Sequence, residues 1–281
     1  MRFNLPVLVY QEKNCVHNHA DEIAQMGKNA LIVTGRNSSK KNGSLDDVIN
    51  ALKSKNIKYT VYDGVEENPS VETVMEAREI GVKAGCDFII GIGGGSPMDA
   101  AKAIGVMIYH KNENKDFLYK SVSNSQSLPV IEVPTTCGTG SEVTTVAVLT
   151  VHNEKTKKSM SHRIFPRMAL VDEKYIKNAP LKVICDTAID ALAHIVESCI
   201  NNNATEYSKM FAKEGLEAWS KFKDVLLGNR EATDEDFHNM MYASTLAGMC
   251  IAHAGTSLPH GLSYPITYEL GIPHGKAVGY F

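Results

Sequence analysis

The chain has 281 residues, long for one compact core and enough for two domains. Hydrophobic residues make up 43% and charged residues 22%, a balance that excludes a disordered chain and supports a sizeable buried interior. With 29 Lys plus Arg against 32 Asp plus Glu, the formal net charge is -3 and no basic stripe emerges, which excludes an electrostatic case for nucleic acid.

The N-terminal segment MRFNLPVLVYQEK lacks the apolar core and small-residue cleavage site of a secretory signal. No apolar run approaches the ~18 residues of a membrane span, so no membrane partner is expected. The six cysteines, at positions 15, 86, 137, 185, 199 and 250, form no C-x-x-C pair. That spacing supports neither a zinc ribbon nor a disulfide framework and fits a reducing cytoplasm.

Short β-branched runs then alternate with helix-length amphipathic stretches: ALIVT (30–34), KYTVY (58–62), DFIIG (87–91), PVIEV (129–133) and MALVD (168–172). Such alternation predicts a parallel sheet in an α/β, Rossmann-like domain. From Pro180 onward the chain is rich in Ala, Leu, Met, Glu and Lys, from LKVICDTAIDALAHIVESCI through MMYASTLAGMCIAH, and predicts an all-α unit. The expected division is 1–179 for an α/β domain and 180–281 for a helical one.

GIGGGSPMDAAKAIG follows the strand DFIIG and enters a helix. The third glycine of G-x-G-x-x-G is missing, because Ser96 follows Gly93, Gly94 and Gly95. The stretch still predicts a helix start, with Ser96 as cap, Pro97 at the first helical position and Asp99 closing a capping box. Bare glycine N–H groups at a helix N-terminus favour a phosphate, although a plain tight turn would use the same residues. A second loop, PTTCGTGSEVT (134–144), offers the hydroxyls of Thr135, Thr136, Thr139 and Ser141, either to a ligand or to solvent. Both loops fall at carboxyl ends of strands, where ligands of open parallel sheets bind.

In CDTAIDALAHIVES, Asp190 and His194 are four residues apart and share a helix face, with Asp186 placed to cap that helix. Alone, the pair reads as a surface hydrogen bond. PHGLSYPITYELGIPHG adds His260 and His274 from two Pro-His-Gly turns. One carboxylate and three imidazoles together suit a divalent metal such as Zn or Fe(II).

GGGSPMDAAKAIG, PTTCGTGSE, IDALAHIVES, the spaced PHG pair and DGVEENPS (63–70) together resemble the iron-containing (group III) alcohol dehydrogenases, in that family's order and over essentially the whole chain. The resemblance implies a dehydroquinate synthase-like nucleotide-binding domain, a helical domain and an active site between them. It implies Asp190, His194, His260 and His274 as ligands of a divalent metal, with Fe(II) favoured and Zn also suited to the set. It further implies Gly93, Gly94, Gly95, Ser96 and Asp99 at the pyrophosphate; Thr135, Thr136, Thr139 and Ser141 at adenosine and nicotinamide; and Lys158 at the ribose.

Two departures stand out. Tyr264 occupies a position where many members carry a further histidine, and the resemblance implies that members run on for roughly a hundred residues beyond Phe281, a full domain's worth. After ALIVT, where NAD enzymes place a carboxylate, the chain has GRNSSKKNG. Gly35 leaves room, Arg36 and Lys40 supply positive charge and Ser38 or Ser39 can donate, which favours NADP(H) over NAD(H). The expected activity is hydride transfer between NADP(H) and a small alcohol or aldehyde, in a homodimer. The alternatives are a glycerol-type polyol dehydrogenase, a dehydroquinate synthase-like lyase, or a nucleotide-binding chain without turnover.

Overall fold

A computed structural model describes residues 3–281; residues 1 and 2 of the N-terminal segment lie outside them. The first part runs β1 (Leu8–Gln11), α1 (Cys15–Asn18), α2 (Ala20–Ala24), β2 (Asn29–Gly35), α3 (Ser38–Lys41), α4 (Ser44–Ser54), β3 (Lys58–Val65), α5 (Val71–Ala84), β4 (Phe88–Gly93), α6 (Gly95–Tyr109), β5 (Val130–Pro134), β6 (Val148–Val151), β7 (Thr156–Ser159) and β8 (Met168–Val171). Five helices follow: α7 (Leu181–Ile200), α8 (Glu206–Leu226), α9 (Asp234–Ala254), α10 (Leu258–Leu270) and α11 (His274–Val278).

Among the described residues, six strands form one sheet in the order β1-β8-β5-β4-β2-β3, and every pairing is parallel. Ala30, Leu31, Ile32 and Val33 of β2 are fully buried, as are Phe88, Ile89 and Ile92 of β4. Such continuous apolar runs are what a sheet covered on both faces requires. One face packs α5 and α6 against Leu31, Val33 and Ile89, and the other packs α4 and its neighbours against Ile32, Phe88 and Ile90. The five expected strands are β2, β3, β4, β5 and β8. β1 is an edge strand beside β8, in register Leu8 to Met168, and its short LVYQ run carried little pattern of its own. The β6–β7 hairpin, antiparallel from Val148 opposite Ser159, also went unread.

A third core joins the helices to the sheet, with Ala169 and Val171 of β8 and Val143 packed among Ala188, Ala191, Phe222, Met240 and Ala247. No helix of the described residues is long and apolar enough to cross a membrane. Two expected caps are corrected. α7 begins after Pro180, so Asp186 lies inside the helix, because the LKVIC segment contains nothing that interrupts a helix. α6 begins at Gly95 with Gly94 as its cap and no side-chain cap, so Pro97 is the third helical residue and Ser96 does not cap.

α9, which backs the loop carrying Gly140, starts with a reciprocal capping box between Thr233 and Asp236. Arg230 grips both oxygens of Asp236, at 2.5 and 2.7 Å, and holds its carboxyl well below the usual aspartate range. A depressed carboxyl stabilises the fold above its unfolded pKa, near 4, and loses that contribution as pH falls through its folded value. Asp236→Asn is therefore expected to lower the urea midpoint at pH 7 by the equivalent of about 1 kcal/mol. The gap from wild type should shrink as the acid limb is approached.

Candidate metal centre and dinucleotide crevice

The chain turns from β2 outward to β3 and then returns to β4 on the opposite side of β2, so the β2 and β4 loops diverge and leave a crevice at the strand ends. Gly93 closes β4 with φ of 150°, and a Cβ there would lie 2.6 Å from Pro97 Cγ. Cβ atoms on Gly94 and Gly95 would come within 3.1 Å of Thr136 and 2.8 Å of Thr139. The triple glycine is thus the condition for pressing the two loops together. The Thr135 N–H donates to Gly93 O at 2.8 Å, and Thr136 Oγ1 is buried without a hydrogen-bond partner at the junction. Ser96 Oγ accepts from the Asn68 N–H at 3.0 Å, which ties the DGVEENPS turn to the same rim.

Several expected cofactor residues are engaged elsewhere. Lys102 is completely buried and donates to Ser141 Oγ at 2.6 Å and Val146 O at 2.5 Å. A cation so enclosed must be fully solvated by protein. Asp99 serves that need: Oδ1 accepts from Ser141 Oγ at 2.6 Å and Oδ2 from the Val148 N–H at 2.8 Å. Asp99 and Ser141 therefore brace the loop from beneath. Gly35 ends β2, and Arg36 and Ser38 are exposed beyond it. Lys40 pairs with Asp63 at 2.5 Å, while Ser39 is buried and accepts from Thr34 Oγ1.

Lys158, expected at the ribose, is exposed, pairs with Glu154 at 3.4 Å and lies over the Tyr119 ring. Alternate residues of a strand face opposite sides, so its neighbour Lys157 points inward. Lys157 donates to Asn68 Oδ1 at 2.8 Å and lies 5.5 Å from the Tyr264 ring centre. Burial lowers the Lys157 pKa, against the raising influence of Asp99 and Asp190.

Across the crevice, α7 presents Asp190, His194 and Glu197 on one face, and α10 and α11 bring His260 and His274 against it. Gly275 allows the approach of α11, since a Cβ there would overlap Asp186 O. Asp190 Oδ1 lies 3.9 Å from His194 Nε2, 3.4 Å from His260 Nε2 and 3.8 Å from His274 Nε2. Donors around one ion at bonds of ~2.1 Å stand roughly 3.4 Å apart in a tetrahedron, so the spacing is close to that of a ligand set. Asp190, His260 and His274 form the tightest group, with ligand atoms all within 4.8 Å of one another. His194 stands just outside it, its ring stacked on His260 at 4.4 Å.

Each imidazole has its other nitrogen directed outward: His194 Nδ1 to Gly138 O at 3.2 Å, His260 Nδ1 to Glu197 Oε1 at 2.5 Å, and His274 Nδ1 to Ser263 Oγ at 3.5 Å. This leaves three Nε2 atoms for a common centre. Asp190 Oδ1 and His260 Nε2 are buried with no hydrogen-bond partner, and a divalent cation between them satisfies both. Burial alone would raise the Asp190 carboxyl, yet His194, His274 and His260 hold it below the usual range. Burial lowers His194, and lowers His274 to about 4. His260 is also disfavoured by burial but, flanked by Asp190 and Glu197, is pushed up to about 9. His274 is 25% exposed where Asp190 and His260 are 3%, so the cluster opens to the crevice on the His274 side. Tyr264 lies there, 5.7 Å from the His274 ring, its hydroxyl raised to about 12 by burial and by Asp190. Sequence reasoning missed Glu197 and Lys157; the position of Glu197 seven residues after Asp190, on the same helical face, was the available signal.

Comparison with known proteins agrees with this geometry. The family model described as iron-containing alcohol dehydrogenase matches residues 6–173, and the C-terminal model of the same family matches residues 184–281. A long-chain primary alcohol dehydrogenase from Thermoanaerobacter ethanolicus is 32% identical over 89% of this chain and 63% of its own length. An NADPH-dependent butanol dehydrogenase from Clostridium saccharobutylicum is 32% identical over 99% of this chain and 71% of its own. The crystal structure of an iron-containing alcohol dehydrogenase from Thermotoga maritima superposes with a TM-score of 0.93 at 41% identity, covering 99% of this chain and 76% of that one. The chain thus spans about two thirds of the length of these curated relatives. With both family models matched and 99% of the chain superposing on a crystal structure of the family, the chain belongs to the iron-containing alcohol dehydrogenase family.

Proposed function

We propose that this chain carries the catalytic core of a metal-dependent oxidoreductase that moves a hydride between NADP(H) and a small alcohol or aldehyde. The balanced reaction is alcohol plus NADP+ to aldehyde, NADPH and a proton. The observation that carries the reading is Asp190 Oδ1, buried and unpartnered among three imidazole Nε2 atoms, in a cluster that opens onto the crevice rimmed by the triple-glycine turn. A divalent ion bound there, Fe(II) by family and Zn by chemistry also acceptable, supplies Lewis acidity toward a substrate oxygen.

The residues of the chain hold, orient and enclose. Asp190, His194, His260 and His274 hold the ion, and the backbone N–H groups of Gly94, Gly95 and Ser96 at the start of α6 bind the pyrophosphate. Thr136 Oγ1 offers an unused polar atom between the loops. Lys157 replaces Lys158 as the cation facing the cofactor ribose, oriented by Asn68. Arg36 and Lys40, the latter also paired with Asp63, lie beyond the end of β2, where they would meet a 2′-phosphate, in keeping with the NADPH-dependent name of the Clostridium relative. Six free thiols fit a reducing compartment, and a homodimer completes the proposal. One observation favours the polyol dehydrogenase alternative: the tightest group contains three ligands, with His194 outside it.

Three outcomes are expected. In metal-free protein titrated against a chromophoric chelator, Asp190→Ala and His260→Ala should weaken metal binding beyond the roughly 10–100-fold of an outer-shell change, and His194→Ala by less. A His194→Ala loss as large as that of His260→Ala would favour a four-ligand site and disfavour the polyol alternative. Lys157→Ala should raise the cofactor KM by about tenfold or more, the worth of a charged hydrogen bond, while Lys158→Ala leaves it unchanged in the same steady-state assay. Gly35→Asp should shift the NADP/NAD ratio of kcat/KM toward NAD by at least about tenfold, since a carboxylate would then face the 2′-phosphate.

A further inference from the structure

Glu197 has no place in the ligand set, yet it is one of the most enclosed charges in the chain, 2% exposed on the inner face of α7. Its two oxygens do different work. Oε1 lies 2.5 Å from His260 Nδ1. Oε2 accepts from the Ser257 N–H at 2.5 Å and from Ser257 Oγ at 3.0 Å. Ser257 immediately precedes α10 and makes no side-chain cap of its own, so Glu197 anchors the entry of the helix that carries His260. The same carboxylate therefore fixes the position of that helix and the rotation of the ring it presents.

The three imidazoles are not supported alike. His194 is backed by the neutral carbonyl of Gly138, and His274 by the Ser263 hydroxyl at 3.5 Å, the edge of hydrogen-bond reach. Only His260 has a carboxylate behind it, and it lies closest to Asp190, with Nε2 to Oδ1 at 3.4 Å. A carboxylate accepting from the far ring nitrogen keeps the proton on Nδ1, leaves the Nε2 lone pair for the ion, and strengthens that donor.

We infer that Glu197 is the positioning residue of the metal centre: acting through His260, it fixes the tautomer and aim of one ligand and thereby sets the affinity of the whole site. The inference rests on the metal-centre reading above. Glu197 touches neither substrate nor cofactor, and its effect is transmitted through the imidazole.

The test uses the whole 281-residue chain stripped of metal, reloaded with Co(II), and followed by visible absorption and by competition with a chromophoric chelator. Glu197→Gln keeps shape and an acceptor for Ser257 but removes the charge behind His260. It should raise the Co(II) dissociation constant 10–100-fold and shift the ligand-field bands. Glu197→Asp, which restores the charge, should recover part of the affinity. Ser257→Ala, which removes only the hydroxyl contact, should leave affinity within about twofold. Thermal unfolding of each metal-free variant separates folding from ligation. Glu197→Gln with wild-type Co(II) affinity and spectrum, whatever its thermal stability, would overturn the inference while leaving the metal centre intact. Wild-type protein that takes up no divalent ion would instead overturn the metal centre, and the inference with it.

Discussion

A single carboxylate oxygen organises the histidine cluster of the helical part of this molecule. Asp190 Oδ1 is withdrawn from water, receives no hydrogen bond and is ringed by the Nε2 atoms of three histidines from three helices. A buried charge is costly unless positive groups surround it, and the imidazoles around Asp190 meet that need in an arrangement that also suits a divalent ion. The surrounding architecture follows from it. α10 and α11 must reach α7, Gly275 must lack a side chain, and the imidazoles must be held from behind with their outer nitrogens occupied.

The glycine-rich loops of the sheet are built on a different principle. Its loops expose backbone rather than side chains, and the polar residues nearest them largely serve the interior. Lys102 is the clearest case: a cation with no exposure that recruits Ser141 and Asp99 beneath the loops. Residues that look like ligand contacts in a motif can thus be the masonry under it. What remains for a ligand is the run of N–H groups from Gly94 to Ser96, Thr136 Oγ1 and the inward-facing Lys157.

Much of this was legible in the amino-acid sequence. Four of the five expected strands announced themselves because a doubly covered sheet demands unbroken apolar runs, and the helix of Asp190 and His194 because the Ala- and Leu-rich stretch after Pro180 favours one. The failures share a physical cause, which is that local pattern was asked for long-range information. β1 is a strand only because β8 is beside it. Ser96 looked like a cap but spends its hydroxyl on Asn68, twenty-eight residues earlier. Glu197 was hidden because its partners, Ser257 and His260, lie sixty residues or more away.

Gly138 belongs to the nucleotide loop, packs against Thr187 of α7, and lends its carbonyl to His194. The backbone of the loop after β5 is therefore also a strut of the histidine cluster, with no flexible spacer between them. If a nucleotide docks on that loop and an ion on that cluster, thermodynamic reciprocity requires each to change the affinity of the other by the same factor.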